Sequence, residues 1–363
     1  MPEGIVGLSQ QDVQVRELPR EAMREIFVTG PGTAAALVPT AEDLGRDLAA
    51  SVVAAECFGP RLNGDQSAVT AALAEALPLT WVLGGVTAAG LGGVHLRAVA
   101  GAKVRPLHMD GRLVGTVVEG PYATEVMLGG IHAGDITAAA DQQARVTFES
   151  IEQAVGLADM DFSHVARTWL FLDDILSWYG DFNCVRTTFF NERGVFDHLV
   201  PASTGIGGSN PAGAAIVAGA YAVKAHHPDV TIQALPSPLQ CPALQYGSSF
   251  SRAVEVAMPD LRRVLVSGTA SIAPGGETQH VGDVRAQTVR TLEVVAAILE
   301  SRGMGWEDVT RATAYVRFPE DVGVLEEVRA AEGLPLLPVV VAHNVICRGD
   351  LLFEIEVDAV QSR

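Results

Sequence analysis

The segments MDFSHVARTWLFL at 160–172 and MGWEDVTRATAYV at 304–316 decide how this chain is read. Each begins with Met, carries an aromatic residue two positions on (Phe162, Trp306), and enters an apolar strand through Val165-Ala166-Arg167 or Val309-Thr310-Arg311. The same order of elements surrounds both. Upstream, EVMLGGIHAGDI (125–136) and RVLVSGTASI (263–272) are short strands broken at Gly130 and Gly268. Next, 141–156 places Val146, Phe148, Ile151 and Val155 at helical spacing, and 284–299 does so with Val284, Thr288, Leu292, Val295 and Leu299. Downstream, 181–194 and 321–333 read as second helices, and 201–223 and 337–360 as closing strands. The chain therefore contains a tandem repeat of strand, helix, strand, helix, strand, strand over about 110 residues per copy. Such a unit is α+β, with a sheet on one side and helices on the other.

The copies are placed at 119–228 and 246–363, with a linker at 229–245 inside the Pro- and polar-rich run from His226 to Gln245. Residues 1–118 are read as an N-terminal α/β domain or a degenerate third copy, helical at 41–57 and 66–76 and extended at 94–105.

Composition narrows the function. The chain has 363 residues, 48% hydrophobic and 19% charged, a globular balance. Its net charge of -18, with Lys103 and Lys224 the only lysines, opposes binding to a phosphate backbone, so no nucleic-acid partner is expected. An anionic small substrate would need a local arginine cluster against that field. The longest apolar stretch, 80–94, is too short and glycine-rich for a membrane helix, and no signal pattern opens the chain. Cys57, Cys184, Cys241 and Cys347 form no CxxC pair, which fits free thiols in a cytoplasmic protein. No metal or cofactor is expected: His226-His227 lacks partners at ligand spacing, and the glycines at 84–93 match no nucleotide-binding pattern. Ser203 stands outside any GxSxG elbow.

The last strand, FEIEVDAV at 353–360, alternates strictly, with Glu354, Glu356 and Asp358 on one face. The matching strand of the first copy, IVAGAYAV, has Val217 in place of Glu354. An acid kept in one of two related clefts implies one working site and one filled by apolar packing. Upstream, Arg348-Gly349-Asp350-Leu351 reads as a tight hairpin turn, which would pair Cys347 with Leu352 and set its thiol diagonally from Glu354.

The repeat resembles the RidA/YjgF family, small proteins that assemble as trimers with ligand sites between subunits. That resemblance implies tandem units forming a pseudo-trimer-like core. Members that deaminate imines grip a carboxylate with an arginine before a Ser-Thr pair. Here that position is Ala202, and the second copy reads Pro338-Val339-Val340, so the deaminase reading is disfavoured. RTW (167–169), FNCVRTTFF (182–190), PASTGIGG (201–208), YGSSFSRA (246–253) and SGTAS (267–271) together resemble the chorismatases, which split chorismate and release pyruvate.

This second resemblance implies that Glu354 is the proton-transferring acid. Protonating the enolpyruvyl methylene needs a neutral carboxyl group, with its pKa raised by burial and by a neighbour such as Glu356. A cysteine seven residues before that acid, Cys347, resembles the type that forms 3-hydroxybenzoate through an arene oxide rather than a dihydroxycyclohexadiene carboxylate by hydrolysis. The two carboxylates of chorismate call for arginine forks, for which Arg167 and Arg252 are the candidates, with Tyr246, Gln245, Ser203 and Thr204 as hydrogen-bonding groups. Arg186 reads as structural or surface. The competing readings are the hydrolytic chorismatase, an enamine or imine deaminase, and a non-catalytic small-ligand-binding protein, each as a monomer or homo-oligomer.

Overall fold

In the computed structural model, which describes residues 13–32, 34–60, 75–84 and 91–363, the chain builds the same sheet three times. The N-terminal unit contains β1 (Gln14–Pro19), β2 (Arg24–Gly30), α1 (Leu37–Leu48), β3 (Ala50–Gly59), β4 (Leu79–Leu83) and β5 (Gly93–Ala100). The middle unit contains β6 (Lys103–Met109), β7 (Arg112–Glu119), β8 (Ala123–Ile131), α2 (Ala140–Gly156), β9 (Val165–Leu172), α3 (Ile175–Glu192), β10 (Ala202–Gly207) and β11 (Ile216–Ala225). The C-terminal unit contains β12 (Thr231–Leu235), β13 (Ala253–Ala257), β14 (Leu261–Ala270), α4 (Val284–Glu300), β15 (Val309–Val316), α5 (Val324–Ala331), β16 (Val339–His343) and β17 (Phe353–Ser362).

Strand orders are β1-β2-β5-β3-β4, β6-β7-β8-β11-β9-β10 and β12-β13-β14-β17-β15-β16. In each sheet the last pair is parallel and the others are antiparallel. The N-terminal unit is thus a third copy with five strands, and the α+β, pseudo-trimeric expectation holds. Helices cover one face of each sheet: Phe148, Ile151 and Val155 of α2 are buried against the middle sheet, whereas Val146 turns outward at 41% exposure.

The inner faces of the three sheets meet around a pseudo-threefold axis. Phe58, Phe171 and Tyr315 stand opposite Gly93, Val217 and Glu354 in their own sheets, and so are equivalent. Phe58 lies 5.7 Å from Phe171 and 6.1 Å from Tyr315 between ring centroids, closing one layer of the axis edge-to-face. Another layer is ionic. Glu25, Glu125 and Arg263, opposite Val99, Val223 and Val360, occupy one equivalent position. Arg20 and Arg97 each bridge Glu25 and Glu125, and Arg263 donates to Glu25 at 2.8 Å. Buried carboxylates survive there because each is paired with more than one guanidinium.

Four expectations change. The helix placed at 41–57 stops at Leu48. Ala49 takes a left-handed φ of 51°, and 50–59 becomes β3, whose Ala50, Ala55 and Cys57 pack with Leu37 and Leu44 of α1 while Val53 and Phe58 face the inner core. The middle sheet begins at Lys103, not 119, because β6 and β7 pair onto β8. The linker at 229–245 contains edge strand β12 and the 3-10 turn Ala243–Tyr246. No hairpin joins β16 to β17, since both flank β15, one parallel and one antiparallel. The helix expected at 66–76 lies mostly outside the described residues. No helix among the described residues is long and apolar enough to cross a membrane.

Candidate active site between the middle and C-terminal sheets

Each sheet lends its parallel edge strand to a neighbour, which opens a cleft at each junction. At the equivalent position the three units carry Gly93, Val217 and Glu354. Only the cleft between β10 and β14 has the acid. Its cavity, of about 260 Å³, is lined by Glu354, Cys347, Arg186, Arg252, Arg348 and Ser203, among others.

Glu354 is 5% exposed. Burial and the nearby charge of Glu356 push its carboxyl group up to about 8, against an ordinary 4.5, while Arg167 and Arg252 pull the other way. The group is therefore mostly protonated at pH 7. Gly268 makes room for it: a Cβ there would stand 2.1 Å from Oε1 of Glu354.

Glu356, two residues on and on the same face, behaves oppositely. It is fully buried, accepts from Arg167 at 2.8 Å and from Arg311 at 2.7 Å, and accepts a short bond from Thr204. Those cations overcome its burial and hold it below the usual carboxylate range. Neighbouring carboxyl groups thus have different protonation states because only one has guanidinium forks against it.

This pairing corrects the role expected for Arg167. It is wholly buried, with Nη2 on Thr204 and Glu356, and belongs to the charged layer beneath the cavity rather than its wall. Thr204 belongs there too: its hydroxyl donates to Glu356 and accepts from Arg167 and from the Gly268 amide at 3.0 Å. Gln245 is exposed and outside the cavity wall. Tyr246 ends the 3-10 turn just before Gly247, which lines the cavity, and its own side chain is outside the described residues.

Ser203 does line the cavity, its hydroxyl accepting from Thr168 at 2.9 Å. Arg252 also lines it, anchored by Nε on the Cys241 carbonyl at 2.9 Å, with its guanidinium 5.6 Å from the Phe250 ring. Arg186 is 2% exposed and lines the cavity from α3, 5.1 Å from the Phe182 ring and bonded to Asn183 at 2.6 Å. The sequence carries a signal for it: Phe182, Arg186 and Phe189 share one helical face, and an arginine on so apolar a face needs an anion to justify its burial. Arg348, donating to the Gly276 carbonyl at 2.6 Å, completes a three-arginine wall.

Cys347 reaches the cavity without the hairpin. Its loop is pinned to the middle unit by Gly207 N–H to the Val345 carbonyl (2.7 Å) and by Asn344 to the Gly207 carbonyl (2.8 Å). Burial and the proximity of Glu354 push the thiol up to about 12, and its side chain hydrogen-bonds with Tyr179. It stays a neutral thiol near neutral pH. The β4–β8 cleft, expected to be packed shut around Val217, instead keeps an open, mainly apolar cavity.

Residues 243–361 match the family described as endoribonuclease L-PSP. A chorismatase of Streptomyces rapamycinicus is 32% identical over 223 residues, 55% of this chain and 65% of that protein. A 3-hydroxybenzoate synthase of Streptomyces hygroscopicus is 32% identical over 228 residues, 55% of this chain and 64% of that protein. The match thus spans just under two thirds of these relatives. The crystal structure of a chorismatase superimposes with a TM-score of 0.65 at 24% identity, covering 85% of this chain and 92% of the other. The chain therefore has the fold of a chorismatase, is related in sequence to chorismatases over about half its length, and ends in a domain that matches the L-PSP family.

Proposed function

We propose that this protein is a chorismatase that converts chorismate to 3-hydroxybenzoate and pyruvate, with Glu354 as the general acid. The observation that carries the reading is a buried Glu354, whose burial favours the protonated carboxyl group, in a cavity walled by Arg186, Arg252 and Arg348. Chorismate presents what that cavity lacks: two carboxylates for the arginines and an enol ether for the acid. The net charge of -18 opposes an RNA substrate, despite the name of the L-PSP family.

Glu354 gives its proton to the enol methylene carbon, which becomes a methyl group, and the ether carbon becomes an oxocarbenium centre. The bond from the ether oxygen to the ring then breaks, and its electrons leave with pyruvate. The adjacent ring hydroxyl oxygen closes onto the vacated ring carbon, and its proton returns to the Glu354 carboxylate. The resulting arene oxide opens and rearomatises to 3-hydroxybenzoate. Atoms balance without water. Cys347 lines the same cavity, which leaves less room for a hydrolytic water beside Glu354, and its neutral thiol offers a donor during ring opening. The free thiols agree with a reducing, cytoplasmic setting.

The test is incubation with chorismate, with pyruvate measured and the co-product identified by mass and ultraviolet spectrum. An aromatic hydroxybenzoate is expected. A non-aromatic diol would move the reading to the hydrolytic type, and no pyruvate would end it.

A further inference from the structure

Thr80 and Thr204 make the same hydrogen bond in two different clefts. Thr204 on β10 accepts from the Gly268 amide of β14 at 3.0 Å, and Thr80 on β4 accepts from the Gly130 amide of β8 at 3.1 Å. Sheet register makes these pairs equivalent. The β4–β8 cleft therefore keeps the strand register and this hydrogen bond of the catalytic cleft, while Gly130 takes a left-handed φ of 64° that Gly268 does not. Its lining differs: Leu79 replaces Ser203, Trp81 replaces Gly205, His132 replaces Ala270, and Val217 replaces Glu354. Its cavity is of about 390 Å³.

We propose that the cleft between β4 and β8 is a second, non-catalytic binding site for a compact aromatic monocarboxylate. Leu79, Trp81, Pro211 and Val217 supply apolar walls for a ring. A far smaller apolar cavity, of roughly 150 Å³, already accommodates benzene. Arg112 supplies the cation at the mouth. It is exposed and donates one hydrogen bond, to the Gly130 carbonyl at 3.0 Å. Among the described residues no carboxylate lies within ion-pair distance of it, Asp110 acting only from further away. A guanidinium has five N–H donors, so most of its capacity remains for a carboxylate.

His132 sharpens the class. Its Nδ1 bonds the Ala133 carbonyl at 2.8 Å, so that nitrogen carries the proton. Burial and Arg112 lower its pKa, which keeps the ring neutral at pH 7. Nε2 is then an acceptor, suited to a phenolic hydroxyl group. Hydroxybenzoates should therefore bind more tightly than benzoate. With Val217 in the place of Glu354, the site lacks the carboxyl acid, so it holds its ligand unchanged. The junction beneath β16 offers no such cation, because Arg329 is committed to Glu326 and to the Leu334 carbonyl.

The test is isothermal titration of the full chain with 3-hydroxybenzoate and with benzoate, whether or not chorismate proves to be a substrate. Arg112→Gln, at an exposed position, should remove a binding event or weaken it about tenfold or more, the loss of one charge-assisted contact. Val217→Phe should remove the same event by filling the cleft. If it does not fold, Arg112→Gln decides alone. Turnover of any substrate in the β10–β14 cleft should be unchanged in Arg112→Gln. Titrations that are the same in wild type and Arg112→Gln, including no binding in either, would overturn the proposal.

Discussion

Glu354 and Val217 occupy one position in two copies of the same sheet, Glu354 opposite Tyr315 on β15 and Val217 opposite Phe171 on β9. The strand registers around them match, and among the side chains that differ between the two clefts this one removes the acid. In the C-terminal unit that side chain is a carboxyl group held neutral beside an ionised one. Its partner Glu356 has Arg167 and Arg311 to hold its charge, while Glu354 has mainly low-dielectric surroundings.

The protonation of Glu354 gives the first prediction. Turnover should be flat through neutral pH and fall as pH rises through about 8, because the donor form is lost there. The same shift acts on stability. The folded pKa is raised, so the folded state holds this proton more tightly than the unfolded chain does. That stabilisation is complete below about 4.5 and is lost as pH rises through about 8. Glu354→Gln should gain stability relative to wild type across that window. Denaturant midpoints at pH 5 and pH 8.5 measure the difference, and an equal gap at both values contradicts it.

Gly268→Ala tests the space beside the acid. Its Cβ would stand 2.1 Å from the carboxyl oxygen, which lies at the end of a flexible side chain. The carboxyl group moves and the fold remains. The variant should unfold at a denaturant concentration close to that of wild type, yet lose turnover by about 10²-fold or more, the order general acid catalysis contributes.

The arginine wall is tested by Arg186→Gln and Arg252→Gln. Under the proposed function each removes a charge-assisted contact to a substrate carboxylate, and each should raise KM for chorismate about 10- to 100-fold. Arg167→Gln should behave differently. It takes a cation from buried Glu356 and should cost about 3–5 kcal/mol of stability, the usual effect of breaking a buried pair. Steady-state kinetics and denaturant titration separate the two classes.

These contrasts mark what the sequence makes legible. The Glu354–Val217 pairing follows from strict strand alternation and an internal repeat, both local patterns. The role of Arg167 does not, because its partner Glu356 lies 189 positions away in another sheet. The position of Arg186 is visible as an arginine between Phe182 and Phe189 on one helical face, but what it faces depends on Arg252 from the next unit. The hairpin failed because a turn sequence at 348–351 cannot report that β15 inserts between β16 and β17. The third copy was obscured because its β3 follows α1 after one left-handed residue, Ala49, with no glycine or proline to punctuate the change.

Cys347→Ala tests product choice. Opening space beside Glu354 admits water, so the dihydroxycyclohexadiene carboxylate should rise relative to 3-hydroxybenzoate while chorismate consumption changes less. Chromatographic product ratios decide it, and an unchanged ratio removes the thiol from the partition.

The most direct measurement is pyruvate release from saturating chorismate at pH 7 by wild type and by Glu354→Gln, with folding of both verified by circular dichroism. Release by the wild type and a loss of about 10²–10⁴-fold in the variant is the expected result. A folded Glu354→Gln protein that released pyruvate at the wild-type rate would contradict the account.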